Sequence, residues 1–113
     1  MSTLRAGFAK ALREIRNARG KSQEDFSEIS SRTYLSILER GVKSPTLDKV
    51  EMLADALDVH PVTMLAMSYV SKKGDLEKLL ETVQSEAHEI ARLNVERAKL
   101  EQEKSKLNLG KAK

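Results

Sequence analysis

The stretch SQEDFSEISSRTYLSILERG, from Ser22 to Gly41, constrains the fold of this 113-residue chain more than any other. It reads as a short helix, a polar turn and a second short helix that stops at a glycine. Ser22 is placed to cap the first helix, with Asp25 three positions on as its return partner. Phe26 and Ile29 give that helix an apolar side. Ser30 or Ser31 can cap the second helix. There Leu35 and Leu38 face the core, while Arg32, Thr33, Ser36, Ile37 and Arg40 can face outward. Gly41 supplies a left-handed stop. Two short helices, the second offering small polar and basic side chains, suit the major groove of duplex DNA.

The flanking sequence extends the helical pattern. Phe8, Leu12 and Ile15 recur at helical spacing and predict a first helix over Thr3–Ala18, closed by Arg19-Gly20-Lys21. Pro45 marks a loop, since it cannot continue a helix and pushes the residue before it toward extended geometry. Thr46 then caps a fourth helix, with Leu47, Val50, Leu53, Ala54 and Leu57 on one face. His60 is placed as the cap of a fifth helix and Pro61 in its first turn, with Met64, Leu65 and Tyr69 along it. The reading is all-α: a five-helix domain over residues 1–70, then a hinge at Ser71–Gly74.

From Asp75 to Leu107 proline, glycine and aromatics are absent and charges alternate. With Leu76 at heptad position a, the a/d seam runs Leu76, Leu79, Val83, Glu86, Ile90, Leu93, Arg97, Leu100, Lys104, Leu107, and seven of the ten are apolar. The pairs Glu89/Arg92, Glu96/Lys99, Glu101/Lys104 and Glu103/Lys106 can support the helix at i,i+3 spacing. A helix of about 50 Å, at 1.5 Å per residue, cannot bury its stripe on so small a domain. Residues 75–108 are therefore expected to oligomerise as a coiled coil, with Leu76, Leu79, Val83, Ile90, Leu93, Leu100 and Leu107 as the contact residues. Docking on a different protein and a solvated helix are the alternatives. Residues 109–113 are expected to be a disordered tail.

Composition narrows the function. The chain has no cysteine, so disulfides and cysteine-based metal or nucleophile chemistry are excluded. His60 and His88 stand alone, without the neighbours a metal site needs. No phosphate loop, nucleophile arrangement or carboxylate dyad is legible, so the pattern points away from an enzyme, and neither cofactor nor metal is expected. The start, MSTLRAGFAK, lacks a signal-peptide core, and no apolar run approaches the ~20 residues needed to span a bilayer. The expected location is cytoplasmic, without a membrane partner. Net charge is +3, unevenly spread. Residues 1–45 hold nine Lys/Arg against five Asp/Glu, the next segment to residue 74 is −1, and the remainder is neutral. Positive charge thus collects on the two-helix segment, as phosphate binding requires.

The chain resembles the lambda-repressor-like (XRE/Cro-type) helix-turn-helix family. The resemblance is carried by Ser22-Gln23-Glu24-Asp25-Phe26, Arg32-Thr33-Tyr34-Leu35-Ser36, Leu38-Glu39-Arg40-Gly41 and Ser44-Pro45, and by the spacing of Leu47, Val50, Leu53-Ala54, Leu57, Val59 and Leu65. It covers roughly Phe8 to Leu65. It implies base contacts from Arg32, Thr33, Ser36 and Ile37. Arg32 has phosphate as its alternative, Thr33 a capping role, and Ile37 the core. It implies phosphate contacts from Gln23, Tyr34, Arg40, Lys43 and Ser44, with packing as the alternative for Tyr34. It also implies an internal ion pair between Arg16 and Glu39. The family usually has two more residues between the positions of Phe26 and Arg32, commonly with Ala and Gly. The glycine-free Ser27–Ser31 predicts a shortened first helix or a tighter turn. The resemblance implies a transcriptional regulator on double-stranded DNA: a repressor, homodimeric, on an inverted repeat. An adaptor that recruits a protein through its C-terminal helix is the second reading.

Overall fold

A computed structural model describes residues 3–26, 31–72 and 74–111, and no strand occurs among them. The elements are α1 (Thr3–Ala18), a 3-10 helix (Gln23–Phe26), α2 (Arg32–Glu39), α3 (Leu47–Ala56), α4 (Pro61–Tyr69) and α5 (Asp75–Lys111). The chain divides into two units, residues 1–76 and 77–113.

In the first unit α1 packs on α4 and on α2, α4 on α3, and α2 on the 3-10 helix. Between them lies one core built from Phe8, Leu12, Ile15, Phe26, Leu35, Leu38, Val50, Leu53, Ala54, Leu57 and Met64. These are the residues that helical periodicity puts on the inner faces. Two expected apolar positions fall outside it. Leu47 is 78% exposed, because side chains tilt toward a helix's N-terminus and carry this first-turn residue past the packed layer. Tyr69, the last residue of α4, is likewise exposed.

Local chemistry sets the helix ends. Ser31 Oγ accepts from Tyr34 N at 3.0 Å, Thr46 Oγ1 from Lys49 N at 3.1 Å and His60 Nδ1 from Val62 N at 3.0 Å. At the end of α2, Gly41 (φ +72°) sends its N–H to Leu38 O while Val42 N–H reaches Ile37 O, the paired bonds of a Schellman turn. α3 closes the same way on Asp58, a non-glycine residue held at φ +55°.

The expected second α-helix is instead a 3-10 helix in its described part. Asp25 N–H bonds Ser22 O, an i,i+3 link, and Asp25 Oδ2 takes the Ser22 N–H at 2.6 Å. The turn at 27–30, with Ile29 and Ser30, lies outside the described residues.

α5 continues through Lys111, past the expected end at 108, and 112–113 lie outside the described residues. From Leu80 to Asn108 every side chain is exposed. Its ion pairs include Arg92–Glu96 and Arg97–Glu101 at i,i+4 spacing, rather than the i,i+3 pairs the sequence suggested. No helix among the described residues is long and apolar enough to cross a membrane.

Candidate nucleic-acid interface

α2 is eight residues long and anchored from beneath by Leu35 and Leu38, both fully buried. Opposite that anchor, Thr33 is exposed and Ser36 and Ile37 are half-buried. The Arg32 backbone opens the helix, and its side chain lies outside the described residues. The far end of α2 carries exposed Arg40, then Lys43 and Ser44 on the following loop. Arg40 Nε reaches Ser36 O at 3.3 Å, which engages one of its five N–H donors. Tyr34 is half-buried against the core, with Lys49 Nζ 5.2 Å from its ring centroid. Lys49 carries no sequence signal for this placement, which arises only when the fold brings the first turn of α3 over the Tyr34 ring.

The position of α2 is fixed by Glu39, its last residue, which is 3% exposed. Arg16 on α1 grips this carboxylate with both forks, Nε to Oε2 at 2.6 Å and Nη2 to Oε1 at 2.9 Å. Gln23 Nε2 adds a third bond to Oε1 at 3.2 Å. Arg13 donates to the Glu39 carbonyl, satisfying a terminal acceptor of α2. Three elements thus converge on one carboxylate. Hydrogen bonding to Glu39 raises the Arg16 pKa further above its ordinary value, against burial that opposes it. On the 3-10 helix, hydrogen bonds from the Ser22 backbone and side chain hold Asp25 below the usual aspartate pKa.

Gln23, expected at a phosphate, is therefore oriented by Glu39, and one amide hydrogen remains for an acceptor. Sequence reasoning missed this tie, along with the roles of Arg13 and Arg19. Arg19 donates to Leu57 O and Asp58 O, both at 2.9 Å, closing α1 onto the end of α3. The spacing of Arg13, Arg16 and Arg19 every three residues, on α1 and one residue past its end, was the available signal. These cations grip other elements of the fold, so the positive count over residues 1–45 overstates what DNA can meet. Among the described residues no group of three or more His, Cys, Asp or Glu side chains could hold a metal ion.

A family model described as helix-turn-helix matches residues 12–63. That span holds α2, the 3-10 helix and the whole Glu39 hub. Control protein C.BamHI of Bacillus amyloliquefaciens is 31% identical over 67 residues, covering 57% of this chain and 83% of that protein. No solved structure gives a significant match.

Proposed function

The chain belongs to the XRE-type helix-turn-helix family of DNA-binding transcriptional regulators, and from that footing we propose that it is a sequence-specific repressor acting as a dimer on an inverted-repeat operator. The observation that carries the reading is the setting of α2. Its inner side chains are locked in the core and its last residue is held by α1 and the 3-10 helix, so its outer side forms a fixed surface. A fixed helix can spend its contacts on base edges without first being ordered.

In this reading α2 enters the major groove. Arg32 and Thr33 address bases near its start, and Ser36 and Ile37 one turn on. Gln23, Arg40, Lys43 and Ser44 grip phosphates on either side, joined by the Tyr34 hydroxyl. The exposed stripe of α5 supplies the pairing surface for two chains, which a two-fold operator mirrors. Occlusion of a promoter is the simplest mode of repression.

The test is selection of bound sequences from random duplex DNA by the full chain. An enriched inverted repeat is expected. Arg32→Ala should relax preference at one position of each half-site, whereas Lys43→Ala should weaken all sequences about equally. Recovery of no motif, with binding insensitive to salt, would sink this function.

A further inference from the structure

The seam of α5 carries charges whose order selects the direction of its partner. Val83, Ile90, Leu93, Leu100 and Leu107 lie 46–64% exposed along it. Interrupting them are Glu86, Arg97 and Lys104. In a parallel, in-register pair each of these three meets its own copy, giving three layers of like charge in the contact. An antiparallel pair changes the arithmetic, because a positions then face d positions.

The seam is symmetric about the midpoint between Ile90 and Leu93. Reversing it there sets Ile90 against the partner's Leu93 and Val83 against the partner's Leu100. The same reversal sets Glu86 against the partner's Arg97. Leu76 then meets the partner's Leu107, and the remaining layer, Leu79 with the partner's Lys104, lets a long aliphatic stem cover leucine while its ammonium reaches water. No like-charge layer remains. Sliding one heptad one way strands Glu86 against the partner's Ile90. Sliding it the other way gives Glu86 the partner's Lys104 but forfeits Leu76 and seats Arg97 on leucine. The flanking positions do not choose between directions. Glu96 meets the partner's Glu101 in the parallel pair, and Glu89 meets the partner's Glu96 in the antiparallel one. Arg97 is available for the exchange, since its own Glu101 pair is loose at 3.6 Å and exposed.

We infer that α5 pairs antiparallel with α5 of a second copy, in the register that sets Glu86 against the partner's Arg97. This deepens the dimer proposed above and rests on that reading. The two helix starts then lie about 50 Å apart, at 1.5 Å per residue over residues 75–108, and the two DNA-binding units are tethered at opposite ends of the pair.

The chain has no cysteine of its own, which leaves a clean background for cross-linking. Full-length Val83→Cys and Leu100→Cys variants are mixed, allowed to exchange and oxidised in a glutathione buffer. The expected product is the disulfide between the two different variants, about tenfold or more over either homodisulfide. In the antiparallel register, residue 83 of each chain is about 25 Å from residue 83 of the other, too far for a bond. Homodisulfides as the main product would overturn the inference in favour of a parallel pair. So would a chain that sediments as a monomer at tens of micromolar, leaving the stripe to a different protein. If that monomer still selects a DNA motif, the pairing fails while the regulator reading stands. Glu86→Arg should weaken self-association about tenfold, and adding Arg97→Glu should restore it. A double variant no tighter than the single one would also overturn the antiparallel register.

Discussion

Replacing Glu39 with alanine removes the acceptor of three hydrogen bonds and the counter-ion of Arg16 at once. The Arg16 and Glu39 side chains are only 14% and 4% exposed, so water cannot fully replace what is lost. Breaking a buried pair by removing one partner costs about 3–5 kcal/mol. Arg16 keeps its 2.8 Å bond to Lys21 O and a sliver of solvent, which places the expected cost at the low end, about 3 kcal/mol. The Arg13 bond survives, because it is made to the backbone carbonyl. For a domain of this size the loss corresponds to a fall in Tm of roughly 12–24 °C. Calorimetry of the full chain at one fixed protein concentration reads it without interference from association. A double-mutant cycle isolates the pair: Arg16→Met should also cost about 3 kcal/mol, while Arg16→Met with Glu39→Leu should come within about 1 kcal/mol of the parent, since no orphaned charge remains. A Glu39→Ala loss below about 1 kcal/mol, with negligible coupling, would mean that the pair behaves as a surface ion pair and that α2 is held by its leucines alone.

Gly7→Ala should destabilise the chain by about 3 kcal/mol, because the added Cβ would sit 2.0 Å from the Ser68 carbonyl oxygen where α1 crosses α4, and backbone cannot yield. On an open helix the same change stabilises by up to about 1 kcal/mol, so the sign alone, read by urea unfolding, decides whether that crossing exists. Asp58→Gly should raise stability by about 0.5–1 kcal/mol by removing a side chain from a left-handed residue, and a lower urea midpoint would contradict the turn at the end of α3. Asp25 should titrate below other aspartates in an NMR pH series. Its folded pKa is depressed, so its contribution is present above the unfolded value of about 3.9 and fades as pH falls through the folded one. The stability gap between the parent and Asp25→Ala should therefore close in acid, and a gap that widens there would refute the Ser22–Asp25 link.

What could be read from the sequence divides by the distance over which the physics acts. The inner faces followed from periodicity alone, and Leu12, Leu35, Leu38, Leu53 and Leu57 are buried as their spacing requires. Caps such as Thr46 and His60 were legible because donor and acceptor lie within three residues. Contacts between elements were not legible from local chemistry. Nothing local marks Gly7 as the point where two backbones touch, or ties Gln23 to Glu39 across sixteen positions. The Arg16–Glu39 pair was anticipated through family resemblance rather than through pattern.

Charge suffered most from this blindness, and the error has a measurable consequence. Counting by sequence gives residues 1–45 nine cations, of which only Arg16 was expected to turn inward. In the fold Arg13, Arg16 and Arg19 are spent on Glu39 and on the carbonyls of Lys21, Leu57 and Asp58. The cations that the proposed function puts on DNA are Arg32 at the start of α2, for a base, and Arg40 at its end with Lys43 just beyond, for phosphates. Two phosphates neutralised per unit, by Arg40 and Lys43, make four per dimer, and at about 0.9 counterions per phosphate the affinity should fall with a log–log salt slope near −4. Lys43→Ala, which removes one such contact from each unit, should flatten the slope by about 2 in the dimer. Arg19→Met should leave the slope unchanged and lower stability instead, because that guanidinium closes α1 onto α3. A slope of −8 or steeper in the parent, or one that Arg19→Met flattens, would put Arg13, Arg16 or Arg19 on the DNA and reverse this assignment.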